Sequence, residues 1–299
     1  MVFGTHRALD SLTLEVPPGV TGLVGANGAG KTTFMSIVLG LRTPTNGSVS
    51  VLGLDPLREG AELRANVGYG PERNVFPDDM PASDFVKHLA EVRGMPRSEA
   101  RSRASDALWL VGLGEERFRA LGTMSTGQRQ RVKLAQAIAA DPSLVLLDEP
   151  TDGLDPVQRD EMLALIRQIS SEYQIDVMLS SHLLEEVERI CDNVVALDAG
   201  QLVAQGPLRE LVGDVEGVTV ELTEIDDVPG SVESVVAHLT AAGLRVTHEP
   251  DANRMEVLGA SADLIADAVR DAVADSSARV RRIEQRRRRL EDLFEVGAS

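Results

Sequence analysis

The chain has almost no cysteine, few aromatic residues, no long apolar run and no excess of basic charge. Of its 299 residues one is cysteine, Cys191. A lone thiol excludes an internal disulfide, fits a reducing compartment and reads as a buried apolar side chain. Aromatics make up 3% of the chain while 43% is hydrophobic, so the core is expected to be aliphatic. No apolar run approaches the roughly 20 residues that span a bilayer. The opening Met1-Val2-Phe3-Gly4-Thr5-His6-Arg7 has no apolar signal core. These absences predict a cytosolic chain. The formal net charge is −17, and a general nucleic-acid binder carries a basic footprint, so no nucleic-acid partner is expected. Arg279, Arg281, Arg282, Arg286, Arg287, Arg288 and Arg289 form a local exception. The cluster reads as a solvated face, or as a contact for anionic headgroups or an acidic partner.

What is present begins with Gly25-Ala26-Asn27-Gly28-Ala29-Gly30-Lys31-Thr32, which fits the phosphate loop G-x-x-x-x-G-K-[ST]. The apolar run Val20–Val24 leads into it and a helical segment, Thr33–Leu39, follows. Glycines let backbone N–H groups curl around phosphate oxygens, and the helix N-terminus adds partial positive charge. Lys31 then reaches the β- and γ-phosphates, and the Thr32 hydroxyl holds Mg²⁺. Alone, this loop announces a nucleoside triphosphate and leaves its use open.

Up to about Pro207, apolar β-rich runs (Val20–Val24, Leu144–Leu147, Val177–Leu179, Val194–Leu197) alternate with helical patterns (Thr32–Leu39, Thr126–Ala140, Val157–Ile169, Leu183–Ile190). Alternation of this kind predicts an α/β fold with a mostly parallel sheet. Asp198-Ala199-Gly200 reads as a hairpin turn to an antiparallel edge. Ser83–Val111 looks helical throughout, with Pro96 as a start signal, and marks a helical subdomain inserted at about 78–140. After Gly206-Pro207 and a short helix, Leu208–Val212, the pattern changes. Strand Val218–Leu222, helix Ser231–Ala242, strands Leu244–His248 and Arg254–Leu258, helix Ala262–Ala274 and strand Ala278–Ile283 give βαββαβ, the split βαβ arrangement. The expected domains are 1–212 and a small α+β, ferredoxin-like module at 213–299.

Four further segments add chemistry. Leu144-Val145-Leu146-Leu147-Asp148-Glu149 is a buried strand ending in two carboxylates. Asp148 suits Mg²⁺, and Glu149 is placed to polarise a water against the γ-phosphate. Met124-Ser125-Thr126-Gly127-Gln128 opens a helix, where a plain N-cap at Ser125 is the simplest reading. Thr151-Asp152-Gly153-Leu154-Asp155-Pro156 follows the carboxylates. Ser180-Ser181-His182 ends another strand, which puts His182 at the sheet edge that binds ligands.

The order of phosphate loop, S-x-G-Q, LLDEP, GLDP and SSH resembles the nucleotide-binding subunit of ATP-binding cassette (ABC) transporters, from Phe3 to about Pro207. Tyr69-Gly70-Pro71-Glu72 and Leu290-Glu291-Asp292-Leu293-Phe294 resemble the drug-exporter, ABC-2 branch. The resemblance implies a P-loop NTPase cassette that hydrolyses ATP with Mg²⁺. It implies that Gly25, Ala26, Asn27, Gly28, Ala29, Gly30, Lys31, Thr32 and Thr33 cradle the triphosphate and that Phe3 stacks on adenine. Thr32, Asp148 and Glu72 then face Mg²⁺, Glu149 is the general base, and His182 orients γ-phosphate and water. Ser125, Gly127 and Gln128 form a signature that acts on ATP held by an opposing cassette, with Asp155 at that interface. The partners implied are integral membrane permease subunits and a second or sister cassette. The subunit then works in the cytoplasm, peripheral to the inner face of the membrane.

The chain departs from the family pattern in three places. In the signature Thr126 replaces the first glycine and Met124 the leucine, Glu72 stands where most cassettes have glutamine, and only Met1 and Val2 precede Phe3. The last point means that either the start lies upstream or the family's apolar edge strand is lost. Two other function classes are a non-transport cassette acting on ribosomes or DNA, and a nucleotide-dependent regulator without turnover. A single phosphate loop and the absence of a long coiled coil disfavour the first. The presence of Lys31, Asp148, Glu149 and His182 disfavours the second.

Overall fold

A computed structural model describes residues 1–73, 75–224, 231–249, 254–276 and 278–295. The chain forms two compact units. One holds Met1–Leu208 and the described residues after Asp292, and the other holds Arg209–Asp292.

The first unit opens with a two-residue hairpin, β1 (Val2–Phe3) and β2 (His6–Arg7). Its main sheet is built from β3 (Val20–Val24), β4 (Val67–Gly70), β5 (Leu144–Asp148), β6 (Asp176–Ser181), β7 (Asn193–Asp198) and β8 (Gln201–Pro207). Their spatial order is β4-β5-β6-β3-β7-β8. All neighbours are parallel except β7 and β8, which are joined through the expected turn at Asp198–Gly200. All five residues of β3 are buried, as a strand covered on both faces must be.

Register brings the chemistry to one level. Val24 lies beside Ser181, Asp148 beside Ser180, and Gly70 beside Leu147. The segments leaving β3, β4, β5 and β6 therefore emerge together at the carboxyl edge of the sheet.

The helices are α1 (Lys31–Val38), α2 (Gly60–Asn66), α3 (Ala82–Val92), α4 (Arg97–Leu110), α5 (Thr126–Ile138), α6 (Pro156–Tyr173) and α7 (Leu184–Ile190). An aliphatic core under the phosphate loop gathers Leu23, Met35, Leu63, Leu146 and Met178. Ser83–Val111 is helical on both sides of the start signal at Pro96. It breaks at Arg93–Pro96, where Gly94 takes φ +95° and Pro96 becomes the N-cap of α4, because proline fits the start of a helix and not its interior. Strand β4 was not anticipated at all. Two glycines in Val67-Gly68-Tyr69-Gly70 hide its β character, yet a side chain at Gly68 would meet the Ala137 carbonyl oxygen at 2.2 Å. Close passage of α5 fixes that residue.

The second unit follows α8 (Leu208–Leu211) and contains β9 (Gly213–Glu224), α9 (Ser231–Ala241), β10 (Arg245–Glu249), β11 (Arg254–Leu258), α10 (Ala262–Ala274) and β12 (Ala278–Arg288), before α11 (Asp292–Glu295). Its antiparallel sheet runs β10-β11-β9-β12, the order that βαββαβ produces. Val220, Val235, Leu239, Met255, Val257, Ile265 and Val269 fill a core of its own. The last strand extends to Arg288, beyond the expected Ile283. Arg286 pairs with Glu256 at 3.1 Å and with Asp292 at 3.5 Å, so the arginine cluster is partly engaged within the unit. The side chains of Arg287 and Arg288 lie outside the described residues.

Candidate functional site

The phosphate loop turns from β3 into α1 through Gly30, which takes φ +103°. A side chain there would come within 2.5 Å of Leu9 Cδ2 and 2.7 Å of the Ala8 carbonyl oxygen, so the position demands glycine for both backbone and space. No side chain caps α1. Its first N–H groups are left for an anion. Lys31 is buried, and its Nζ donates to the carbonyls of Gly25 at 2.7 Å and Ala26 at 3.5 Å. The ammonium is thus parked on the loop whose phosphates it would meet.

One hydroxyl fixes the Asp148 carboxylate and the Glu149 backbone at the end of β5. Ser180 Oγ donates to Asp148 Oδ1 at 2.6 Å and accepts the Glu149 N–H at 3.0 Å. Thr32 Oγ1 donates to Asp148 Oδ2 at 3.4 Å. Glu149 takes φ +48°, a conformation that costs a non-glycine residue on the order of 1–3 kcal/mol and clusters at functional sites. Its carboxylate lies 3.8 Å from Lys31 Nζ and 2.8 Å from His182 Nδ1.

These side chains face one groove of about 530 Å³. Ala26, Asn27, Gly28, Gly30, Lys31, Thr32 and Thr33 form one wall, and Asp148, Glu149, His182, Glu72 and Phe3 close the rest. Gly25 and Ala29 do not line it. Gly25 gives its carbonyl to Lys31, and Ala29 is buried in the core. Phe3 carries the Arg42 guanidinium 4.9 Å from its ring centre. His6, Ala8 and Asp152 also line the groove and were missed in the sequence. Asp152 sits three residues beyond Glu149 in a segment already singled out. Nothing marked His6 or Ala8 except proximity to Phe3.

Ser125, Gly127, Gln128 and Asp155 lie outside this groove. Ser125 and Gln128 close on each other as a capping box for α5. Ser125 Oγ accepts the Gln128 N–H at 3.2 Å, and Gln128 Oε1 accepts the Ser125 N–H at 3.1 Å. Asp155 caps α6 by accepting the Gln158 N–H at 2.9 Å. Gly127 is buried, and a side chain there would press within 2.8 Å of Gln158 Oε1. The N-termini of α5 and α6 therefore abut.

Behind Glu72 lies a second, more apolar cleft of about 510 Å³, lined by Tyr69, Pro71, Phe76, Phe85, Leu89 and Lys133 among others. Burial, with the charges of Asp148 and Glu72, pushes the Tyr69 hydroxyl up to about 12.

The model of the ABC transporter family matches residues 9–152. ABC transporter ATP-binding protein NatA of Bacillus subtilis is 33% identical over 208 residues, covering 69% of this chain and 84% of NatA. The chain belongs to the ATP-binding subunits of ABC transporters. The ABC transporter ATP-binding protein YxlF of the same organism is 30% identical over 292 residues, covering 97% of this chain and 94% of YxlF, so the match extends through the second unit. A bacterial ABC transporter cassette solved as a dimer superposes with a TM-score of 0.61 at 25% identity, over 69% of this chain and 94% of that one. The cassette fold, ATP binding and ATP hydrolysis follow from this membership.

Proposed function

We propose that this ATPase powers export through a separate membrane permease, with ATP closed between two cassettes. The observation that carries the catalytic part is the convergence of Lys31, Glu149 and His182 on one groove at 3.8 and 2.8 Å. On this reading the γ-phosphate enters beside the α1 N-terminus and draws Lys31 from the Gly25 and Ala26 carbonyls. Water attacks the γ-phosphorus as its bond to the bridging oxygen breaks. Glu149 accepts the water's proton, and His182, held to the same carboxylate, orients water and γ-phosphate.

Mg²⁺ fits the donor set. Thr32 Oγ1 and Asp148 Oδ2 are hard oxygens 3.4 Å apart, and Glu72 adds a third oxygen donor to the same groove. Mg²⁺ takes few protein oxygens and fills its remaining positions with phosphate and water. When bound it neutralises phosphate charge.

Ser125, Gly127 and Gln128 stand away from their own groove, which supports action across a dimer on the ATP of the opposing cassette. The cleft behind Glu72 is the natural seat for a permease segment, because the chain 69–73 lines both cleft and groove. Among the described residues no helix is long and apolar enough to cross a membrane, so transport requires that partner. The working position is then peripheral, at the cytoplasmic face. The outward direction rests on Tyr69–Glu72 and Leu290–Phe294. Glu149→Gln is expected to cut turnover by about 100-fold or more and to trap an ATP-bound dimer in size-exclusion chromatography. Unchanged turnover would remove Glu149 from the role of base.

A further inference from the structure

Glu186, on α7, is a carboxylate that the reading above leaves without a task. It is 3% exposed. Burying a carboxylate costs several kcal/mol unless it is well paired, and this one is hydrogen-bonded through one oxygen and ion-paired through the other. Thr151 Oγ1 and Ser181 Oγ both donate to the same oxygen, Glu186 Oε2, at 2.8 Å each. Arg159 Nε lies 3.2 Å from the other oxygen, an ion pair without hydrogen-bond geometry. Ser181 Oγ also accepts the Leu183 N–H at 3.0 Å, and its hydrogen has the Leu183 carbonyl at 3.4 Å as a longer alternative to the charged Glu186 oxygen at 2.8 Å.

The two hydroxyls belong to the two segments that carry the catalytic pair. Thr151 is two residues beyond Glu149, and Ser181 immediately precedes His182. Thr151 and Ser181 are themselves buried, whereas the His182 side chain is 46% exposed. A carboxylate only accepts hydrogen bonds, so the two 2.8 Å contacts aim both hydroxyls at one atom. We infer that Glu186 is a positioning residue, tying the Glu149 segment to the His182 segment so that base and histidine meet at the γ-phosphate. Ser180 fixes Asp148 and the Glu149 backbone from the same strand end. Glu186 adds the link that Ser180 does not make, from strand β6 to the chain beyond Pro150.

The inference rests on the roles given above to Glu149 and His182. Thr151→Val keeps the shape of the side chain and removes one hydroxyl. It is expected to lower kcat about tenfold, as small misplacements of catalytic groups do, with KM for ATP changed less than about twofold because the Lys31 and Thr32 contacts are untouched. Combined with His182→Ala it should cost almost nothing further, since the pair it aligns is already broken. Glu186→Gln offers one oxygen to both hydroxyls and should retain most of kcat, while Glu186→Leu should lose it. Thermal melting and ATP binding of each variant report whether it is folded.

Native turnover in His182→Ala or Glu149→Gln would sink the site reading and the tether with it. Those two crippled, with folded Thr151→Val at the native rate, would overturn the tether alone. The same fractional loss from Thr151→Val with and without His182 would also overturn it, because a general loosening of the fold acts in both backgrounds.

Discussion

Lys133 tests how the interior of the cassette handles charge. Lys133 is 1% exposed, and among the described residues its Nζ has no hydrogen-bond partner. Its stem packs against Gly70, where a side chain would sit 3.3 Å from Lys133 Cγ. Burial pulls its pKa down to about 8, against the upward pull of Asp148, Asp152, Glu72 and Glu149. An unfolded lysine keeps its proton to about pH 10.4, so between that value and about 8 the unfolded chain binds more protons. Stability from this residue therefore rises with pH across that window, and below pH 8 the full penalty is present. Lys133→Met, of similar volume, is expected to stabilise the cassette at pH 7 by about 1–4 kcal/mol, as replacing buried ionic groups does. Urea unfolding at pH 7 and pH 10 measures this, and the gap between variant and native protein should shrink at the higher pH. A constant gap would mean that the variant acts through packing and not through charge. Nothing in the sequence separated Lys133 from the solvated charges of an amphipathic helix. Lys31, Asp148, Glu149 and His182 were legible there because strand–loop context gave each a direction, whereas Lys133 sits on a helix face that only the crossing of β4 defines.

At the scale of elements, the signature shows where sequence and structure divide the information. The reading of Ser125 as an N-cap is what the structure shows, since Ser125 and Gln128 satisfy each other at the start of α5, and the action proposed on an opposing cassette would draw on the same atoms. Strands β3, β5, β6 and β7 were legible as buried apolar runs. Strand β4 was not, because the constraint on Gly68 comes from a helix some 70 residues further along the chain, and the sequence offers no signal for such an approach. The start of α4 was legible in Pro96. Thr126 occupies the first position of α5, and its Cγ2 lies 3.2 Å from where a side chain on Gly153 would begin. Its methyl group therefore fills space between the signature and the segment after Glu149. Glycine at that position frees the backbone for close approach, and the first turn tolerates it better than a helix interior does. Thr126→Gly is expected to preserve or raise steady-state ATPase activity. A loss of about tenfold or more, some 1.4 kcal/mol in barrier, would show that the methyl contact aligns the interface instead of obstructing it.

For the whole molecule, the division into two units sets what nucleotide can stabilise. Every residue lining the groove lies between Phe3 and His182, and the second unit fills its core from residues between Val218 and Ala278. Each unit buries an aliphatic centre of its own, which is the condition for separate cooperative unfolding. A ligand that binds only the folded cassette stabilises it by about 2.7 kcal/mol at 100 times its Kd. For a unit of this size each kcal/mol moves Tm by about 2–4 °C, so a shift of about 5–11 °C is expected for the transition of the cassette. Among the described residues none of the second unit lines the groove, so its transition is expected to stay in place. Calorimetry of the full chain with and without saturating ADP and Mg²⁺ reads both at once. Two transitions, of which only one shifts, are the expected result. A single transition that moves as a whole would mean that the second unit unfolds with the cassette and shares its binding energy. The C-terminal module would then be part of the nucleotide switch rather than a passenger on it.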